Sequence, residues 1–403
     1  MTTPVESRTT SAAVRTPVLA ALTAPSRAPS EAPFRGPGRR PVAVSFTGPR
    51  SVGLVEEDTP PLLPGTVRVR TLYSGISAGT EMTAYRGSNV YLTKQWDPAQ
   101  RLFTAGSRSF DYPVTGWGYS EVGEVVECAP DLDRTDVDDT VPALRVGDVV
   151  YGIWGHRSEA VLPAKTLAGR QIPPGVDPVA GVFARVGAIA FNAVLAADLH
   201  LGETVAVFGQ GVIGLLATRL AALSGARVIA VDTIDPRLQL ATRLGAWLTL
   251  NAADDTITVA EGVKSATPDG TDVAIEISGS YRALHEAVRS TAPGGRVVAA
   301  GFYQGEGAGL HLGEEFHHNR IQIVASQIGG VPAGLVGRWS TERLHRVFMG
   351  LVADGSIDVT PLISHMVPCD DVVEAYRLLD EDAAKALQVV LDFRSGAHAE
   401  GAS

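Results

Sequence analysis

Two hydrophobic rhythms divide the chain. From Pro41 to about Gly187 apolar positions come in short runs punctuated by turns: TVRVRTL at residues 66–72 alternates, residues 122–126 follow a glycine, and LRVGDVVYGI at 144–153 sets a Gly-Asp turn between two apolar stretches. Such patterns predict half-buried strands. Past Leu201 the rhythm changes. Apolar runs at 204–208, 226–231, 273–277 and 296–300 predict strands, and helical spacing at 212–223, 237–244 and 281–290 places helices between them, the first ended by Gly225. Strands alternating with helices in this way predict a parallel sheet. Two further helices at 341–353 and 370–379 precede a last strand at 386–393, and no internal repeat is evident.

Residues 1–40 share neither rhythm. They hold six Arg and six Pro, many Ser, Thr and Ala, and only Glu6 and Glu31 as acids. That composition predicts a disordered tail. The Arg-rich look also suits a transit peptide, but Arg15 and Pro17 interrupt the apolar positions between Val14 and Leu22. The 403 residues allow two or three domains. With 34 Lys plus Arg against 44 Asp plus Glu, the net charge of -10 offers no basic footprint, so neither a nucleic acid nor a membrane partner is expected. No apolar run was expected to reach the roughly 20 residues of a membrane span. The two cysteines, Cys128 and Cys369, exclude a disulfide-stapled scaffold and a four-cysteine zinc lobe, and they fit a cytoplasmic protein.

The strongest chemical signal is Gly209-x-Gly211-x-x-Gly214, between a strand of Val and Phe and a helix of Leu and Ala. In that context the first glycine makes a tight turn, the second admits a pyrophosphate, and the third brings helix and strand together. The amides of Val212, Ile213 and Gly214 then begin a helix, where free N–H groups meet phosphate. Asp232 ends the next strand, at the distance where a carboxylate accepts from the adenosine ribose hydroxyls. It would repel a 2′-phosphate, whereas Arg237 offers one a partner. NAD is therefore expected over NADP.

From Pro41 to Phe393 the chain resembles the medium-chain dehydrogenase/reductase superfamily, through its β-rich first module, the unit Glu203 to Gly214, the segment Thr271 to Gly279 and the turn Gly294 to Gly301. The strings SGISAGTE (from Ser74) and GYSEVGEVVE (from Gly118) look like the bacteriochlorophyllide-dehydrogenase-like branch of alcohol dehydrogenases. The resemblance implies an α/β fold: a GroES-like β-rich catalytic domain plus a Rossmann doubly wound parallel sheet, with a cleft between them. The expected division is a tail at 1–40, catalytic domain at 41–187, Rossmann domain at 188–325, and a return to the catalytic domain at 326–403. A homodimer or homotetramer and a small-molecule substrate are likewise implied.

The family's catalytic zinc is held by a Cys before a Gly-Thr-Asp-like turn, the His of a Gly-His-Glu motif, and a further Cys or Glu. Here Gly79, Thr80 and Glu81 match the turn, but Ser77 and Ala78 precede it, Tyr119 and Ser120 replace His and Glu, and the third position falls near Ala184. The segment from Gly147-Asp148 to His156 also lacks the cysteines of the structural zinc lobe. No zinc is expected, so a side-chain acid/base must manage the hydroxyl proton. Tyr119 is the first candidate, with core packing as its other reading. Thr80 matches the family's proton-relaying hydroxyl. Glu81 is either a catalytic acid or a fold-supporting partner, and His156 precedes a strand as a further candidate.

His311, Glu314, Glu315, His317 and His318 invite a metal, but on an extended chain adjacent side chains diverge. The resemblance puts them near the nicotinamide, so His317, His318 and Asn319 stand as substrate or cofactor contacts, with a packed surface segment as the alternative. Eight aromatics between Tyr85 and Tyr119, Trp117 among them, suit a sugar-like ring or the core of a long loop. The expected activity is zinc-free hydride exchange between NAD(H) and a secondary alcohol or ketone, of polyol, cyclitol or sugar type. An NADPH-dependent enoyl or quinone reductase and a non-catalytic dinucleotide-binding protein are the alternatives.

Overall fold

The computed structural model describes residues 40–394 except 59, 131, 133–142 and 255. Nearly all of the expected tail lies outside the described residues. Six parallel strands form one sheet in the order Ala246–Asn251, Arg227–Asp232, Thr204–Phe208, Thr271–Glu276, Thr291–Ala299, Gln322–Ala325. Its central strand, TVAVF, is buried on both faces, as expected of a parallel sheet covered by helices. On one face pack Val186 and Ala190 of helix Phe183–Ala197, Leu215 and Leu216 of helix Val212–Leu223, and Phe348 of helix Thr341–Ala353. On the other pack Val263 of helix Val259–Ala266 and Leu284 and Val288 of helix Tyr281–Ser290. Strand order reverses beside Thr204–Phe208, and ligands of such sheets bind beyond the strand C-termini at this switch point.

The second large sheet runs Ile363–Pro368, Gln388–Asp392, Thr66–Ile76, Glu121–Cys128, Val149–Gly152, with Glu159–Pro163 also paired to Thr66–Ile76. The chain thus leaves this sheet for the parallel one and returns, placing Val389 opposite Ile76. One apolar cluster joins the two parts: Tyr73, Val122, Tyr151 and Val182 belong to it along with Val205 and Leu215.

Helices at 212–223, 281–290 and 341–353 fall where the apolar spacing puts them. Several elements differ from expectation, and three of them carry candidate residues or lead to them. The strand expected at 66–72 continues to Ile76, because Ser74 and Gly75 are held between neighbours on both sides. The helix expected at 237–244 is Asp235–Arg243, with a proline in its first turn. The histidine-bearing stretch expected to be extended is instead a kinked helical turn over Leu312–Phe316 that runs on through His318. The apolar stretch Pro178–Ala197 also corrects the sequence reading. It is, by length and composition, 20 residues long and apolar enough to cross a membrane, but most of it is buried inside the fold.

Candidate active site

The glycine turn is built as its spacing predicts. Gly209 takes φ +91°, where side chains are strained, and a Cβ there would press on Ser278. Gly211 stands before the helix Val212–Leu223 with nothing within 4 Å of the place a Cβ would take, so its backbone is open to a ligand. At Gly214 a Cβ would sit on the carbonyl oxygen of Gly209. Gly214→Ala should therefore push the helix off the turn and weaken NADH binding by about tenfold or more, near 1.4 kcal/mol. Titration of NADH fluorescence measures it, and unchanged affinity would show that the turn does not carry the dinucleotide.

Asp232 is nearly buried. Its carboxylate accepts from the amides of Gln210 (2.5 Å), Thr233 (2.8 Å) and Ile234 (3.0 Å), which ties the glycine turn to the next loop. A carboxylate has about four acceptor sites, so one remains for a ligand hydroxyl. Arg237 does not flank it as the sequence suggested: its Nη2 donates to the carbonyls of Ala383 (2.6 Å) and Ala386 (3.0 Å), fastening its helix to the returning chain. Sequence reasoning missed Glu276, the acid that ends strand Thr271–Glu276. It is buried and accepts from the amides of Ser278 (2.8 Å) and Gly279 (3.2 Å) and from the hydroxyls of Ser278 and Tyr303. Burial holds its carboxyl above the ordinary carboxylate range, although these donors pull the other way. It thereby fixes two loops at the C-terminal edge, beside Gly209.

Beside the second large sheet, Tyr119 is half-buried and its hydroxyl is bonded to that of Ser77. Burial, and then the charge of Glu81, push the phenol up to about 12, against hydrogen bonds from Ser77 and Thr80 and the charge of Arg185. The phenol is thus neutral and a donor near neutral pH. Thr80 begins the helix Thr80–Arg86, which carries Glu81 inward.

Glu81 and His156 have no solvent exposure. His156 Nε2 lies 2.6 Å from Glu81 Oε2, and Nδ1 lies 2.5 Å from Ser74 Oγ, which donates to Glu121 at 3.2 Å. Tyr376 donates to Glu81 at 3.1 Å, and the Trp154 amide donates to Glu121 at 2.8 Å. Burial alone would push the imidazole down, but Glu81 and Glu121 outweigh it and hold His156 above the ordinary histidine range. Burial also pushes Glu121 up. Both ring nitrogens can donate along this chain, which suits an imidazolium. As placed, Glu81 and His156 support the site from within the fold and do not face a substrate.

The other expected contacts lie elsewhere. His317, His318 and Asn319 precede strand Gln322–Ala325 and so sit at the N-terminal edge of the parallel sheet, opposite the glycine turn. His317 and His318 are exposed, while the Asn319 carbonyl accepts from Gly294 at 2.7 Å. Parallel strand direction overrides their expected place near the nicotinamide. Glu314 and Glu315 come together with His285 from helix Tyr281–Ser290, which the sequence did not join to them. Trp117 begins a row of rings through Phe110, Tyr91, Phe103 and Trp96, with successive centroids 5.2, 5.8, 5.4 and 5.0 Å apart. Its carbonyl also accepts from the His156 amide. Tyr85 instead packs in the core against Phe46 and Tyr376.

A zinc does not fit the family's place. Ala78 and Ala184 offer methyl groups, and Tyr119 is a neutral phenol already hydrogen-bonded, whereas a tetrahedral centre needs three N, S or O ligands.

Comparison with known proteins agrees with this architecture. Residues 212–341 match the family described as zinc-binding dehydrogenase, a span that excludes positions 78, 119 and 184. D-guloside 3-dehydrogenase of Escherichia coli (strain K12) is 30% identical over 356 residues, covering 86% of this chain and 98% of that protein. (R,R)-butanediol dehydrogenase of Bacillus subtilis (strain 168) is 26% identical over 338 residues, covering 79% and 89%. The crystal structure of galactitol-1-phosphate dehydrogenase from Escherichia coli superposes with a TM-score of 0.69 at 19% identity, covering 87% of this chain and 99% of the other. The chain belongs to the medium-chain dehydrogenase/reductase superfamily, among its alcohol oxidoreductases.

Proposed function

We propose that this protein exchanges hydride between NAD(H) and a secondary alcohol or ketone of polyol, cyclitol or sugar type, with Tyr119 in place of the metal as acid/base. The observation that carries the reading is the Tyr119 hydroxyl, bonded to Ser77 and influenced by Thr80 where a zinc ligand would stand. The sugar-linked name of the relative at 30% identity supports the substrate class. Gly209, Gly211 and Gly214, the amides of Val212 and Ile213, and Asp232 would hold the dinucleotide; when bound, it supplies or takes up the hydride. In reduction Tyr119 Oη gives its proton to the carbonyl oxygen, and in oxidation it receives the hydroxyl proton, with Ser77 and Thr80 orienting it. Glu81 and His156 are positioning residues.

A panel of hexitols, cyclitols and glycosides assayed with NAD, with product identification, tests the reading. Turnover should survive a chelator. Activity lost to the chelator and restored by zinc would overturn the metal-free mechanism. Cofactor choice is assigned to Asp232: Asp232→Ala should raise the NADP-to-NAD ratio of kcat/KM by about tenfold, the equivalent of ~1.4 kcal/mol of relieved repulsion. An unchanged ratio would remove that role.

A further inference from the structure

Beside Tyr119 lies a crevice that the mechanism above does not use. Ser120, Tyr151, Arg170, Ala184, Arg185 and His345 line it. Both arginines are half-buried, and among the described residues neither side chain makes a hydrogen bond or salt bridge. Glu342 acts on them only from beyond ion-pairing distance. Burial and then their mutual repulsion with Arg170 push Arg185 down. His345 brings no anion: its Nδ1 lies 2.6 Å from the Thr341 carbonyl, and burial followed by the charge of Arg170 takes it down to about 4, leaving it neutral. Ser120 is only 4% exposed, and its Oγ is buried without a partner. Two unpaired guanidinium groups and an orphaned hydroxyl on one crevice make a donor set that lacks its acceptor. Guanidinium forks match planar oxyanions, and a buried hydroxyl without a partner is costly unless a ligand supplies one.

We propose that this crevice is a subsite for an anionic group, carboxylate or phosphate, carried by the substrate, with Arg170 and Arg185 as its cationic arms and Ser120 as a hydrogen-bond partner. The proposal rests on the alcohol-oxidoreductase reading and narrows its substrate to an acidic polyol or sugar. As the side chains stand, the crevice has no room for a water-sized molecule. Binding therefore displaces the guanidinium groups from their resting positions. Ser120 follows Tyr119 directly in the chain and Arg185 is within electrostatic range of it, so the anion would be held near the proposed acid/base.

The test compares hexitols, the corresponding hexonates and hexitol phosphates as substrates of wild type and Arg170→Gln. Acidic substrates should be favoured in kcat/KM by about 100-fold, a preference of ~2.7 kcal/mol. Arg170→Gln should collapse that preference through KM while leaving neutral hexitols unchanged. Equal use of neutral and acidic substrates, with no effect of the variant, overturns the subsite. Should Arg170→Gln instead weaken NADH itself, the anion is the cofactor's and the substrate assignment fails. If no polyol or acid turns over, the reading of the reaction fails separately. The subsite is then judged by titrating gluconate or inorganic phosphate into the preformed NADH complex, where saturable binding lost in Arg170→Gln supports it and equal binding by both proteins overturns it.

Discussion

Tyr119→Phe should lower kcat by about 10²- to 10⁴-fold, the range typical of general acid–base catalysis, while NADH binds as before. The substitution removes one oxygen from a half-buried ring and keeps its packing. It leaves the Ser77 hydroxyl without its partner. If the tyrosine only fills the core, as the other reading of the sequence held, kcat changes little and only stability shifts. The pH profile adds a second discriminator. Because burial and Glu81 push the phenol up to about 12, oxidation, which begins with the phenolate, should accelerate as pH rises towards that value, and reduction should be flat below it. Tyr119→Phe should abolish the rise. A full-activity variant with the same rise would remove Tyr119 from the chemistry.

His156→Ala is expected to destabilise the fold by about 3–5 kcal/mol, because it leaves Glu81 buried without its cationic partner. The pH dependence follows from the raised imidazole. Such a group contributes its full stability below its unfolded pKa, about 6.5. It loses that contribution as pH rises through the higher folded value. The difference between wild type and His156→Ala should be largest below about pH 6.5 and shrink above it, as read from urea unfolding at several pH values. A difference that grows with pH would show that His156 is buried neutral. His156→Gln, which keeps a donor, should recover part of the stability without the pH dependence.

Much of this architecture was legible because parallel strands and amphipathic helices announce themselves in local spacing. Helix Val212–Leu223 and the glycine turn before it illustrate this, since Gly209 and Gly214 each answer a nearby steric demand and Gly211 leaves its backbone open. What local spacing cannot show is direction and distance. The sequence places His317 and His318 as substrate or cofactor contacts near the nicotinamide, whereas the strand that follows them fixes their edge of the sheet. The Glu81–His156 pair joins residues 75 apart, and nothing near either residue names its partner. Arg185 was hidden differently. A lone arginine in an apolar helix reads as a surface position, and only the folded chain shows it beside Tyr119 and Arg170, with Glu342 near enough to act on it but not paired to it.

The return of the chain to its first sheet bears on how the protein is made. Strand Thr66–Ile76 carries Ser74 and leads into Ser77, yet one of its neighbours, Gln388–Asp392, is the last of the described strands to be translated; Gln388 Nε2 donates to the Ile76 carbonyl across 312 residues at 3.0 Å. Non-local pairings of this span form late, whereas the parallel sheet between them is contiguous in sequence and can fold as a unit during synthesis. A nascent chain halted before residue 388 should therefore have a formed glycine turn and an unfinished edge beside Ser77, where the proposed acid/base sits. Cofactor binding would come before catalytic competence on the ribosome.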